Sequence, residues 1–324
     1  MDDRRTRPRS HPARSHPPVT HQGLDRRKTG PRRPPRSLTD RLSLLVVPEH
    51  IALHIGEVPV LLRRSGRDSA PIVVLYHGFG PPNSPQEMAQ AFPLETVDAT
   101  IAYVGLALFG ERLPPGGLEE ILDRQSRDYL RQLLMPVIEQ AADELPRLVA
   151  EIAERTGADA DRLALLGFSA GGVVVADALI RAQVPIQAAV LVNTVSSPSA
   201  AVAISERLSG NPYPWDDEAR TAAQRGDLAA HASDVAARST PPALLILHGA
   251  NDEYIAPDDP RDLYTALRNA YRESGRADLV EFRIFDDVAH HLTGANNHVE
   301  GLSRITALNE AASDWLNTQL RKRT

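Results

Sequence analysis

A chain of 324 residues, 42% hydrophobic and 24% charged, holds material for one large globular core, since single α/β domains often exceed 200 residues. The absence of cysteine excludes a disulfide scaffold, thiolate metal sites, iron–sulfur clusters and a cysteine nucleophile, and no stretch approaches the roughly 20 apolar residues of a spanning helix. The net charge of −6 hides an asymmetry: residues 1–37 carry eleven basic against three acidic side chains, a balance of +8 that leaves −14 to the rest.

In chain order, residues 1–37 read as a disordered tail rich in Arg and Pro, with few aliphatic residues and no period of 2 or 3.6. They lack the apolar run that a secretory or twin-arginine signal needs, so the expected location is cytoplasmic. An acidic body argues against nucleic acid as the main ligand. A tail tethered to nucleic acid or anionic lipid is the minor reading.

The body, 38–324, alternates short β-rich runs with helical patterns, which predicts an α/β fold with a mostly parallel central sheet flanked by helices. Two short strands are expected around Gly56, within 51–63. Continuous apolar runs follow at Ile72–Tyr76, Thr100–Val104, Leu163–Leu166, Ala188–Val192, Leu244–Leu247 and Val280–Phe285. A helical region over 118–155 should break or bend at Pro136 and Pro146. The charged run 123–128 reads as its solvated face. Val173–Ala182 is a helix ended by Val184-Pro185. Residues 196–241 form a small cap insertion above the carboxyl edge of the sheet, with a helical stretch over 217–237. Leu302, Ile305, Leu308, Ala312, Trp315 and Leu316 mark one face of a closing helix.

Gly167-Phe168-Ser169-Ala170-Gly171 lies where a buried strand must reverse into a helix. Such an elbow strains its central residue and pushes the serine hydroxyl into the crevice at the strand ends. A serine hydroxyl attacks only if a base takes its proton and a further group holds that base. In this chain order the acid and then the histidine should each follow a later strand. Asp252 follows Leu244–Leu247, and His290 follows the strand ending at Phe285. Glu253 and Asp258 are alternative acids further from the strand end. His291 and His298 compete with His290, which the strand-to-histidine spacing favours; His291 is then a neighbour of the site.

Backbone amides commonly stabilise the developing oxyanion, one just after the nucleophile and one in a loop after an earlier strand. Ala170 and Phe79, in Tyr76-His77-Gly78-Phe79-Gly80, supply these. His77 reads as a residue that braces this loop. Leu106, Phe109, Phe168, Trp215 and His291 are candidates for an apolar substrate pocket. Adjacent His290 and His291 make poor ligand geometry, so no metal is expected, and the acyl transfer expected of these groups requires no cofactor.

With these motifs in place, the chain resembles the α/β-hydrolase superfamily over about residues 50–320. Within it the sequence is most similar to dienelactone-hydrolase-like and prolyl-oligopeptidase-like serine hydrolases. The resemblance implies the α/β-hydrolase fold and an acyl-enzyme mechanism through Ser169, His290 and Asp252. Departures narrow the chemistry. Dienelactone hydrolases proper use a cysteine, and residues 1–50 leave no room for the β-propeller of prolyl oligopeptidases. The expected partner is a small-molecule carboxylic ester. A peptidase, a thioesterase and a non-catalytic binding protein are the alternatives.

Overall fold

A strand whose side chains are all apolar is stable only where both its faces are covered, and the inner strands are such runs. The structure, a computed structural model, describes residues 50–293 and 299–321. The stretch 1–37, His298 and the side chain of Leu302 lie outside the described residues. The described residues contain eight strands: β1 (His50–Ile55), β2 (Val58–Arg63), β3 (Pro71–Tyr76), β4 (Thr100–Val104), β5 (Asp159–Phe168), β6 (Ile186–Val192), β7 (Ala243–Asn251) and β8 (Val280–Ala289). They form one sheet in the order β1-β2-β4-β3-β5-β6-β7-β8. β2 runs antiparallel to both β1 and β4, and the remaining pairs are parallel.

The helices are α1 (Pro85–Ala91), α2 (Gly117–Asp128), α3 (Met135–Thr156), α4 (Ala170–Arg181), α5 (Pro198–Ser209), α6 (Asp217–Arg225), α7 (Ala232–Ala236), α8 (Asp258–Glu273) and α9 (Val299–Arg321). Successive side chains of a strand face opposite sides, and each side has its own core. Ile72, Val74 and Tyr76 of β3 join the core packed with α3, α4 and α8. Val73 and Leu75 join the core formed with α1 and α9, where Leu308, Ala312, Trp315 and Leu316 are buried. This is the α/β-hydrolase arrangement, a mostly parallel sheet between two layers of helices.

The chain leaves β3 for β4 on one side, then returns to build β5 on the other. Such a reversal opens a crevice at the carboxyl ends of the two strands. Residues 77–80 and the turn at Ser169 both emerge there.

The cap differs from expectation. Residues between β6 and β7 form α5, α6 and α7, so the helical stretch expected over 217–237 is two helices, interrupted at 226–231, with α5 before them. A second segment between β4 and α3 joins them: α2 and then a single π-turn, Tyr129–Leu134. Asp128, expected on a solvated helix face, is buried and ties the two segments together. It accepts hydrogen bonds from the Tyr213 hydroxyl (2.5 Å) and from Arg131 Nε (2.7 Å), and Arg131 also pairs with Asp216 (2.9 Å).

The expected helix break likewise moves. It falls at Asp128, whose extended backbone starts the π-turn while its carboxylate caps the Arg131 amide at 2.9 Å. Pro136 sits in the first turn of α3, directly after the π-turn, and does not break the helix. Pro146 lies inside α3 without ending it. The Gln183 amide, oriented to satisfy its neighbours, donates at 3.0 Å to the Ala142 carbonyl, the one that Pro146 leaves without a helical donor.

Candidate active site

Ser169 occupies the turn between β5 and α4 with φ +52° and ψ −119°. For a residue with a Cβ this conformation costs on the order of 1–3 kcal/mol. Its neighbours hold it there: the Ser169 amide donates to the Val192 carbonyl (2.9 Å), and the Thr194 hydroxyl donates to the Ser169 carbonyl (2.8 Å). The flanking glycines follow from close approach. A Cβ on Gly167 would strike the Gly171 carbonyl, and one on Gly171 would strike the carbonyls of Tyr76 and His77.

The three predicted side chains meet. Ser169 Oγ lies 3.0 Å from His290 Nε2, and His290 Nδ1 lies 2.8 Å from Asp252 Oδ2. A carboxylate only accepts, so the ring proton sits on Nδ1 and leaves the Nε2 lone pair facing the serine hydroxyl. Asp252 Oδ1 takes the amides of Tyr254 (2.9 Å) and Ile255 (2.8 Å), which fixes the carboxylate plane. Its side chain is fully buried, and the His290 side chain is 7% exposed. Glu253, the alternative acid, instead accepts the His290 backbone amide at 3.1 Å. Asp258 begins α8 on the surface and pairs with Arg261.

Both supporting loops are braced. His77 lies under the loop after β3: Nδ1–H donates to the Gly78 carbonyl (2.8 Å), and Nε2 accepts the Leu106 amide (3.1 Å). Burial lowers its pKa to about 4, so it stays neutral and has no lone pair to spare. The loop closes through a Gly78–Pro82 backbone bond of 2.9 Å, and a Cβ on Gly78 would lie 3.0 Å from Ser169 Cβ. Phe79 and Ala170 therefore flank the serine. Ala170 opens α4, where N–H groups lack helical acceptors and the dipole favours negative charge.

One organising residue is absent from the sequence reading. Asn193 follows β6 with φ +43°, a left-handed conformation that asparagine tolerates. It is fully buried. Its Nδ2 donates to the carbonyls of Ala289 (2.9 Å) and His290 (3.1 Å), and its Oδ1 accepts the Gly249 amide (2.9 Å). Its own amide donates to Leu247 at 3.0 Å. One side chain thus pins the strand ends that carry the acid and the histidine. The only sequence hint is a turn-tolerant residue closing a buried apolar strand.

A cavity of about 310 Å³ opens over Ser169 and His290. Phe79, Val173, Val195 and Ile255 form its core-side wall; Tyr129, Leu134, Ala201, Ile204 and Leu208 of the cap form the other. Of the predicted pocket residues only His291 lines it, with its pKa lowered by burial and then by the neighbouring His290. Leu106 and Phe168 are fully buried in the two cores. Phe168 lies behind the site, 5.5 Å ring to ring from His290. Phe109 stacks on the back of Phe79 at 4.7 Å, and Trp215 packs edge-on to Tyr213. The expected pocket aromatics Phe109, Phe168 and Trp215 thus lie outside the lining, which Phe79 and Tyr129 supply instead. A larger cavity, about 810 Å³ between α1 and α9, has none of Ser169, His290 or Asp252 in its lining.

Fold and site together define an α/β-hydrolase in which Ser169 lies at the strand ends within hydrogen-bond distance of His290. Residues 125–314, well over half the chain, match the prolyl oligopeptidase family, and the chain belongs to that family of serine hydrolases. Among solved structures, TT1662 from Thermus thermophilus is similar with a TM-score of 0.61 at 19% identity, covering 85% of this chain and 99% of that one. An esterase from Thermogutta terrifontis is similar at 16% identity with a TM-score of 0.55, covering 82% and 94%. A puromycin-hydrolyzing peptidase of Mycobacterium tuberculosis is similar at 18% identity with a TM-score of 0.60; 86% of this chain corresponds to 40% of that one. The chain thus spans about two-fifths of that peptidase. At these identities the likeness concerns the fold. No curated protein matches the chain. Among the described residues no helix is long and apolar enough to cross a membrane.

Proposed function

We propose that the protein hydrolyses small-molecule carboxylic esters through an acyl-enzyme on Ser169. The observation that carries this reading is the continuous hydrogen-bond chain from Ser169 Oγ through His290 to Asp252. His290 Nε2 takes the hydroxyl proton as Oγ bonds to the acyl carbon. Asp252 stabilises the imidazolium so formed, and the amides of Phe79 and Ala170 receive the oxyanion. The imidazolium then returns the proton to the departing alcohol oxygen. Water repeats the sequence, giving its proton to His290 and its oxygen to the acyl carbon, which frees the acid and Ser169.

A peptidase reading is favoured by the family match and by the peptidases among the similar structures. It uses the same catalytic groups, and a matched ester, thioester and amide panel separates the readings. The body from 38 to 324, including the cap, is proposed to act as one catalytic domain without metal or cofactor.

Ser169→Ala should abolish fluorophosphonate labelling and lower p-nitrophenyl butanoate turnover by at least about 10⁴-fold, as removal of a nucleophile does elsewhere. Labelling that persists in the variant would refute the assignment.

A further inference from the structure

The cavity over Ser169 is closed on one side by the cap, and its composition bears on the substrate. Ala201, Ile204 and Leu208 lie on one face of α5, spaced by three and four residues, and all line the cavity. Tyr129 and Leu134 reach it from the π-turn. Among the described residues no Lys, Arg, Asp or Glu lines it. The two carboxylates that hold His290 are committed: Asp252 to the ring and two amides, and Glu253 to the His290 amide. His291, also on the wall, is held toward its neutral form by burial and then by His290. An ammonium or carboxylate placed here would lose much of its water and gain no oppositely charged partner among the described residues, a costly transfer.

Size sets a second limit. At about 30 Å³ for a water-sized group, a cavity of 310 Å³ has room for on the order of ten non-hydrogen atoms. In an acyl-enzyme the acyl group stays bonded to Ser169 while the alcohol departs, so the cavity around Oγ must house the acyl chain through both steps. Ala201 is the smallest of the cap side chains in the wall and Ile204 lies one turn beyond it.

Resting on the ester-hydrolase reading above, we infer that this is an acyl pocket for an uncharged, apolar acid of short to medium length. Ala201 and Ile204 set the length, and an acid bearing a free α-ammonium group is rejected.

The test uses the full chain and p-nitrophenyl esters from acetate to decanoate. Burial of each added methylene should raise kcat/KM about fourfold until the pocket is full, with a maximum near hexanoate to octanoate and a fall at decanoate. Ala201→Phe should cut kcat/KM on hexanoate at least about tenfold more than on acetate. Ile204→Ala should move the maximum to longer acids, so the two variants shift it in opposite directions. With the acyl group fixed as butanoate, neither variant should alter discrimination among alcohols. Leucine p-nitrophenyl ester should react at least about 100-fold more slowly than its N-acetyl derivative. Faster turnover of the free amine, or variants that alter alcohol rather than acyl preference, would overturn the pocket assignment. Fluorophosphonate labelling of Ser169 in the same preparation separates the two levels. Labelling with no acyl-length dependence sinks the pocket alone; no labelling sinks the hydrolase reading beneath it.

Discussion

Asn193 holds the backbone at Ala289 and His290 by two donated hydrogen bonds, and the Gly249 turn by one accepted. Asn193→Asp keeps the shape but turns a donor into an acceptor facing two carbonyl oxygens. The backbone carrying His290 must then move, and displacement of a catalytic base by about 1 Å costs roughly 10²-fold in rate. The expected outcome is a kcat about 100-fold lower per fluorophosphonate-titrated site, with KM within threefold. An unchanged kcat per titrated site, with only a lowered Tm, would show that Asn193 serves stability alone. At this scale legibility follows locality. Ser169 was readable because its elbow is a five-residue steric problem with a glycine solution. Asp252 and His290 were readable because each directly follows an apolar run. Asn193 and the cap residues of the pocket left no local mark, since their partners lie tens of residues away and are assembled only by packing.

Elements were legible in proportion to their apolar content. The cores of β3 to β8 stood out, while the polar ends Asp159–Arg162 of β5 and Asp286–Ala289 of β8 did not. Helices α1 and α5 escaped the periodicity reading, yet each begins with a serine cap followed by proline: Ser84-Pro85 and Ser197-Pro198. That signature marks helix starts without any hydrophobic repeat. Helix α8 was missed although Leu263, Leu267, Ala270 and Tyr271 carry a helical spacing. The cap was half legible because its segment between β4 and α3 looked like a continuation of one long helix. The latch between its halves is testable. Burial opposes ionisation of Asp128, but hydrogen bonds from Tyr213 and Arg131 outweigh it and hold its pKa below the ordinary value. Its contribution is present above the unfolded pKa of about 4 and is lost as pH falls through the folded one. Asp128→Ala should loosen the π-turn that carries Tyr129 and Leu134. KM for p-nitrophenyl hexanoate should rise about three- to tenfold near pH 7 with kcat little changed. An unaltered KM would mean that the cap wall is held without the latch.

At the scale of the molecule, the α/β class was readable from alternation, but the strand order depended on the family resemblance. Apolar runs do not encode which neighbours they pair with, and the return of β5 to the far side of β3 is a tertiary event. The pairing of α3 with α4 behind the sheet introduces a charge that the core must accommodate. Asp177, on α4, is 5% exposed, and its pKa is raised to about 6 chiefly by burial. Pairing with Arg181 at 3.3 Å lowers it only partly, since Glu139 and Asp143 add repulsion and Asp143 itself engages Arg181. The sign of the consequence follows from proton counting. Between the unfolded pKa near 4 and the folded value near 6, the native protein binds more protons than the unfolded chain. Stability therefore falls as pH rises through that window, by on the order of 2–3 kcal/mol from this residue if the shift is fully expressed. Asp177→Asn removes the titration and retains a hydrogen-bond acceptor for Arg181. Chemical denaturation at pH 5 and pH 7 should show the wild type losing more stability over this interval than the variant does, while Asp177→Asn keeps the same kcat because it lies outside the Ser169 cavity. Parallel pH dependence in the two proteins would show that solvent or Arg181 already neutralises the cost of burying this carboxylate.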